Sequence, residues 1–246
     1  MNAPILEVAA NSVASALAAE AGGAARVELC SALEVGGLTP SHAAIAIAVA
    51  RLHIPVHVLI RPRAGDFVFD DLECEMMRRD IGTCRALGCA GVALGVLTTA
   101  GEVDVPHCRD LLEAARGLSV TFHRAFDFTR DPGRALEDVI ALGCDRALTS
   151  GQAADALAGA PLIRRMIEQA RDRITVMPGG SIDAANIATI AQATGAREFH
   201  GSAKVRVADR MHHAGIGGMG GGNWQTDAAE VRARVQALRD CEPGAP

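Results

Sequence analysis

The chain is predicted to be an α/β protein, a (β/α)8 TIM-type barrel forming a single domain over residues 1–246. Three observations carry that expectation. The 246 residues match the roughly 250 typical of one such barrel. Strand-like and helix-like segments alternate eight times. Apolar runs also keep ending in ionisable side chains, most clearly Ser119-Val120-Thr121-Phe122-His123-Arg124-Ala125-Phe126-Asp127. Burying an unpartnered charge costs several kcal/mol, so a repeat of this pattern at one end of successive parallel strands points to a ligand or reaction site there.

The elements follow in order. Strand Ile5–Ala9 leads to helix Ser12–Ala21, Arg26–Cys30 to His42–Leu52, Val56–Ile60 to Leu72–Leu87, and Gly91–Gly95 to Val105–Ala115. Ser119–His123 then leads to Gly133–Leu142, Arg146–Thr149 to Ala154–Arg171, and Ile174–Met177 to Ala184–Gln192, with Arg197–His200 as the eighth strand. Gly22, Gly88, Gly143 and Gly195 follow helices and fit C-caps. Leu87-Gly88-Cys89 and Leu142-Gly143-Cys144 each lead into a short strand, a faint internal echo. No G-x-G-x-x-G opens the first helix, which counts against a dinucleotide fold. Residues 203–226 read as a Gly-rich irregular segment, with Gly215–Gly222 as a flexible or ligand-covering loop. Asp227 and Glu230 have capping-box spacing and start a last helix to about Arg239.

Composition narrows the function classes. Hydrophobic residues make up 49% and aromatics 3% with no Tyr, so a large core must be aliphatic. The net charge is −5 and the basic residues are scattered, which argues against a nucleic-acid partner. Seven cysteines are an odd number without framework spacing, as expected of free thiols in a reducing cytoplasm. No apolar run approaches the roughly 20 residues of a membrane span, and no signal peptide is visible. Ala-rich helix faces leave a homo-oligomer open.

Side chains alternate along a strand, so Glu28 shares a face with Arg26 and Cys30, His57 with Arg61, Thr121 with His123, and Glu198 with His200 and Ser202. Glu7 belongs to the first strand. If these faces point inward, carboxylates, imidazoles and an arginine converge at the mouth, with Glu28 and His123 as an acid–base pair and Arg61 and Arg124 as anion clamps. Asp127, Ser150, Arg63 and Asp66 are further ligand-binding candidates. So are Gly179, Gly180 and Ser202, at loops that cradle phosphate in many barrels. Each has a plainer reading. Strand histidines are commonly hydrogen-bonded core residues, Arg63 and Asp66 could pair to shape a turn, Glu198 could be a lower-layer ion-pair partner, and the glycines could simply make tight turns. Cys30 could be a small inert core residue.

Several separated blocks resemble the CutC family, long labelled copper homeostasis proteins: Arg26-Val27-Glu28-Leu29-Cys30, Gly36-Gly37-Leu38-Thr39-Pro40-Ser41, Ile60-Arg61-Pro62-Arg63 with Gly65-Asp66-Phe67, Thr121-Phe122-His123-Arg124-Ala125-Phe126-Asp127, and Leu148-Thr149-Ser150-Gly151. The resemblance also implies a TIM-type barrel, and it implies Cu(I) handling in the cytoplasm, with Cys30 as thiolate ligand helped by His57 or His123. The residues alone support a different function, an enzyme using Glu/His acid–base chemistry on a small polar or anionic, sugar-like or phosphorylated substrate. Its mouth is rich in Glu, His and Arg, and no Met-x-x-Met or C-x-x-C is present.

Overall fold

The computed structural model describes residues 3–213 and 222–241. Eight parallel strands run in the order β7-β6-β5-β4-β3-β2-β1-β8, and a parallel bridge between Gly179 and His200 closes the ring. They are β1 (Ile5–Ala10), β2 (Arg26–Leu29), β3 (Val56–Leu59), β4 (Gly91–Leu94), β5 (Ser119–Phe122), β6 (Arg146–Thr149), β7 (Thr175–Pro178) and β8 (Glu198–Gly201). The helices are α1 (Val13–Ala21), α2 (His42–Arg51), α3 (Asp71–Ala86), α4 (Val105–Ala114), α5 (Pro132–Leu142), α6 (Ala160–Ala170), α7 (Ile187–Thr194) and α8 (Ala228–Asp240). This is a (β/α)8 barrel, and each expected strand lies within one residue of its place.

Strand alternation divides the side chains into two populations. Leu6, Val8, Val27, Leu29, Val58, Ile60, Val92, Leu94, Phe122 and Phe199 belong to one continuous buried cluster with residues of the surrounding helices. The opposite phase places Glu7, Arg26, Glu28, His57, Thr121 and His200 inside the ring, where barrels normally hold branched aliphatics. The hydrophobic core is therefore the layer between strands and helices.

Local capping explains most helix starts. Ser12, Ser41, Asp104 and Asp131 each accept a backbone N–H in the first turn of α1, α2, α4 and α5. Asp70 and Glu73 form a reciprocal capping box on α3. At α8 the box is half formed: Asp227 accepts from Ala229 and Glu230, while the Glu230 carboxylate pairs with Arg234 instead.

Four expectations are corrected. α6 begins at Ala160 rather than Ala154, because residues 152–159 are held as turns against the barrel end. There the Ser150 hydroxyl donates to Ala153 O and the Ala156 N–H to Gly180 O. α7 starts at Ile187, since Asp183 and Asn186 interlock in a turn before it. The segment 203–226 is not irregular throughout: β9 (Lys204–Val207) and β10 (Asn223–Thr226) pair as an antiparallel ribbon, with Lys204 lying over Trp224. Most of the expected Gly215–Gly222 loop lies outside the described residues. Finally, Gly88, Gly143 and Gly195 adopt the left-handed geometry of a helix end, but Gly22 does not, at φ −81°. Gly22 is small because α8 crosses there: a Cβ would lie 2.5 Å from Val231 Cβ.

Gly22→Ala is expected to lower unfolding stability by about 1–3 kcal/mol through overpacking. Gly82→Ala, in the interior of α3 with nothing within 4 Å of the new Cβ, should raise it by up to about 1 kcal/mol. Denaturant midpoints of the two variants check this.

Candidate active site

The inward residues form tiers. Lowest is an ion-pair ladder: Arg146 Nε and Arg26 Nη2 each donate to Glu198 Oε2 at 2.6 Å, and Arg26 Nε donates to Glu7. Arg146 also donates to Ser119 Oγ at 2.7 Å. Glu198 is thus the lower-layer ion-pair partner that the plainer reading allowed. Above it His200 sits between two carboxylates, with Nδ1 2.7 Å from Glu7 Oε1 and Nε2 3.8 Å from Glu28 Oε2. The second distance is too long for a hydrogen bond.

These contacts pull the two glutamates apart. Burial works against the Glu7 charge, but the hydrogen bond from His200 and the guanidinium of Arg26 hold its carboxyl far below the usual range. Burial raises Glu28 to about 7; His200 and Arg26 oppose the shift and Glu7 adds to it. Burial also opposes charge on His200, yet Glu28 and Glu7 outweigh it and raise the imidazole.

Glu28, Gly36, Leu59, Arg61, Phe67, His123, Arg124, Leu148 and His200 line a cavity of about 70 Å3 at the C-terminal ends of the strands. Three of its wall residues carry a buried polar atom with no hydrogen-bond partner: Glu28 Oε1, Arg61 Nε and His123 Nε2. The sequence expectation that Glu28, Arg61 and His123 meet in one hollow agrees with this geometry. Buried polar atoms are nearly always paired, so three orphans on one cavity mark a place for a guest.

His123 is tightly placed. Ala125 N–H donates to its Nδ1 at 3.2 Å, Phe67 packs at a tilt against the ring with centroids 5.1 Å apart, and a Cβ on Gly95 would lie 2.9 Å from Nδ1. Burial, then the charge of Arg61, lowers its pKa to about 3, so the ring is neutral. Gly91 does the same for His57: a Cβ there would come within 2.7 Å of His57 Nε2. Phe67 was legible only as part of the Gly65-Asp66-Phe67 block, and Arg26 and Arg146 were missed as charge partners because they sit at strand starts.

Other expected roles change. Arg61 is not a free clamp: it donates to Val35 O, Gly37 O and Gly65 O and lies over Phe67, tying two loops around the mouth and leaving only Nε unpartnered. Its charge faces carbonyls rather than a carboxylate. Arg63 pairs with Asp66 and Glu73 and caps Val68 O, so both Arg63 and Asp66 shape a turn. Asp127 accepts from Thr149 Oγ1, from the Ser150 N–H and from Arg124 Nε at 2.7 Å, and Arg124 Nη2 donates to Ser150 Oγ; Asp127 and Ser150 therefore position Arg124 at the rim. His57 lies a tier lower, 3.9 Å from Glu7, and burial lowers its pKa to about 4. Gly180, at φ +110°, packs against Ser150 and Arg124; Gly179 packs against Leu148 and His200. Ser202 lies at the root of the ribbon, where its carbonyl accepts from Thr226 Oγ1.

Cys30 does not fit a Cu(I) site. It packs with Leu59, Ala93 and Leu33, and burial together with Glu28 and Glu34 raises its pKa, which disfavours the thiolate. Among the described residues, the one group of His, Cys, Asp or Glu atoms close enough for a metal is Glu7, Glu28 and His200, which contains no sulfur. Its imidazole and one carboxylate are already engaged with each other and with Arg26. Soft Cu(I) wants thiolate or thioether donors.

Glu28 has a pH signature. Its folded pKa lies above the unfolded value, so its contribution to stability is full below about 4.5 and is lost as pH rises through about 7, on the order of 3 kcal/mol. Glu28→Gln is therefore expected to melt about 5–10 °C above the parent at pH 8 and level with it at pH 4.5, read by thermal unfolding at the two pH values.

Comparison with known proteins agrees with this architecture. The CutC family model matches residues 4–205. A CutC family protein of Xanthomonas campestris pv. campestris strain B100 is 56% identical over 236 residues, covering 95% of this chain and 98% of its own. One from Chromobacterium violaceum is 51% identical over 241 residues, covering 95% and 98%. The crystal structure of CutC from Streptococcus agalactiae superposes with a TM-score of 0.78 at 35% identity, covering 81% of this chain and 98% of that one. Phosphoribosylanthranilate isomerase from Thermotoga maritima, at 12% identity and a TM-score of 0.59 over 96% of this chain and 99% of that one, shares the fold alone. Fold, motif order and relatives of nearly equal length agree: the chain belongs to the CutC family.

Proposed function

We propose that the protein is an enzyme acting by acid–base chemistry on a small polar or anionic substrate bound at the barrel mouth. The observation that supports this most is the cavity whose walls leave Glu28 Oε1, Arg61 Nε and His123 Nε2 buried and unpartnered. Glu28 is the proton acceptor and donor, since a carboxyl near neutrality can do both at working pH. Arg61 contributes a positive charge with no carboxylate beside it among the described residues, suited to an anionic group or a developing negative charge. Arg124, held by Asp127 and Ser150, reaches the rim, where Gly179 and Gly180 keep the strand end narrow. The seven free thiols suit a reducing compartment such as the cytoplasm.

A copper role rests on the name of the Streptococcus agalactiae relative, which includes the words copper homeostasis. For this chain the donors speak against Cu(I) as a resident ligand, because the thiol at Cys30 is apolar-packed and protonated. Titration with Cu(I) against a competing chelator is expected to give the same affinity for the parent and Cys30→Ser.

The substrate class is tested by thermal shift with short hydroxy acids, keto acids, sugars and their phosphate esters. At least one compound is expected to raise the melting temperature of the parent and to lose most of that effect in His123→Ala and Arg61→Gln. Equal stabilisation of all three proteins, or no stabilisation by any compound, counts against the site.

A further inference from the structure

The tautomer of His123 narrows the chemistry. Ala125 N–H donates to Nδ1, so Nδ1 is the acceptor and the ring proton sits on Nε2. That Nε2–H is buried and has no partner, on a ring fixed by Phe67 on one side and by the close backbone of Gly95 on another. A buried donor without an acceptor is costly, and the wall offers it none. It therefore calls for an acceptor oxygen from the guest. Glu28 comes from β2 and His123 follows β5, three strands further around the ring, so the two residues that carry the orphaned oxygen and the orphaned donor line the same cavity from well-separated strands.

We propose that the guest is a small carbonyl compound: His123 donates Nε2–H to the carbonyl oxygen while Glu28 removes a proton from the adjacent carbon. This inference rests on the site proposed above and names its reaction. The C–H bond breaks and its electron pair forms the carbon–carbon double bond of an enolate. The carbonyl π pair moves onto oxygen, and the proton goes to a Glu28 carboxylate oxygen. Return of a proton to the same carbon completes an exchange. Where that carbon carries a hydroxyl, its O–H proton passes to the former carbonyl oxygen, the Glu28 proton goes to the former carbonyl carbon, and an isomerisation results, with no oxidant or reductant needed. A neutral imidazole suits this role because it stabilises the oxyanion by a hydrogen bond without first giving up a proton. Arg61, with its buried Nε and no carboxylate within ion-pair reach among the described residues, adds a positive charge to the wall where that oxygen becomes negative. His200, held by Glu7, stands 3.8 Å from Glu28 and lines the same cavity.

Two measurements test the assignment. Nitrogen-15 NMR of His123 is expected to show a neutral ring with the proton on Nε2 from pH 5 to 9; an Nδ1–H tautomer or an imidazolium in that range overturns it. Dihydroxyacetone, pyruvate and dihydroxyacetone phosphate are then incubated with the full chain in D2O, with proton NMR following loss of the hydrogens beside the carbonyl. At least one is expected to exchange tenfold or more faster than in buffer. Glu28→Gln should reduce that rate about 100-fold or more, and His123→Ala should reduce it about 10- to 1000-fold. His123→Gln, which keeps a donor, should recover part of the loss in kcat with little change in KM. A probe that raises the melting temperature yet exchanges no faster than in buffer overturns the carbonyl chemistry and leaves the binding site standing. If none of the three stabilises the protein, the carbonyl assignment falls, and the wider thermal-shift series decides the site separately.

Discussion

The ion-pair ladder inside the barrel is the constraint on which the rest depends. Arg146, Glu198, Arg26 and Glu7 occupy ring positions that barrels ordinarily fill with aliphatic side chains. Each charge is expensive alone, and removing one partner of such a buried set typically costs about 3–5 kcal/mol. Here the two guanidiniums and two carboxylates balance, and their shared hydrogen bonds fix each side chain. The tier above inherits that order: because Glu7 is held ionised by Arg26, it can grip His200, and His200 then stands beside Glu28.

Order below permits frustration above. Glu28, Arg61 and His123 each keep one unpaired buried atom, an arrangement that lowers stability and persists where binding or catalysis needs it. The surroundings hold these groups in place without satisfying them. Arg61 is tied through its terminal nitrogens to three loop carbonyls, Phe67 packs against both Arg61 and His123, and Gly91 and Gly95 make room for the two imidazoles.

The barrel was legible because strand length, alternation and turn glycines all have local causes, and the ionisable strand ends gather at one end of the ring. Glu28 and His123 were legible for the same reason: period-2 alternation fixes which side they take. What failed were inferences about pairing, which is set by neighbours distant in sequence. Arg61 looked like a free clamp, but its partners Val35, Gly37 and Gly65 come from two different loops. Asp127 looked like a ligand group, but Thr149, Ser150 and Arg124 occupy its oxygens. Arg146 and Arg26 begin their strands, and their pairing with Glu198 and Glu7 has no local signature, although the ladder is built on them. Residues 154–159 have helical composition, yet hydrogen bonds to the β6 and β7 ends override it.

The division of labour between Glu7 and Glu28 bears on what kind of site this is. Both are buried glutamates on adjacent strands, both border His200, and intrinsically they are the same acid. Glu7 has Arg26 and a hydrogen bond from the imidazole, so it stays charged and titrates far outside the working range. Glu28 feels Arg26 only at a distance and receives no hydrogen bond from the imidazole, and one of its oxygens has no partner at all, so its proton is exchangeable near neutrality. A site built only to hold a soft cation has no use for that asymmetry, and the thiol nearest to it is kept protonated among Leu59 and Ala93. A site that moves protons requires it: one carboxylate must stay fixed as a counter-charge while its neighbour changes state. The same split accounts for His200, whose imidazole is anchored by Glu7 and raised in pKa by Glu28 and Glu7 against burial, while it stays 3.8 Å from Glu28 without forming the bond that would trap it.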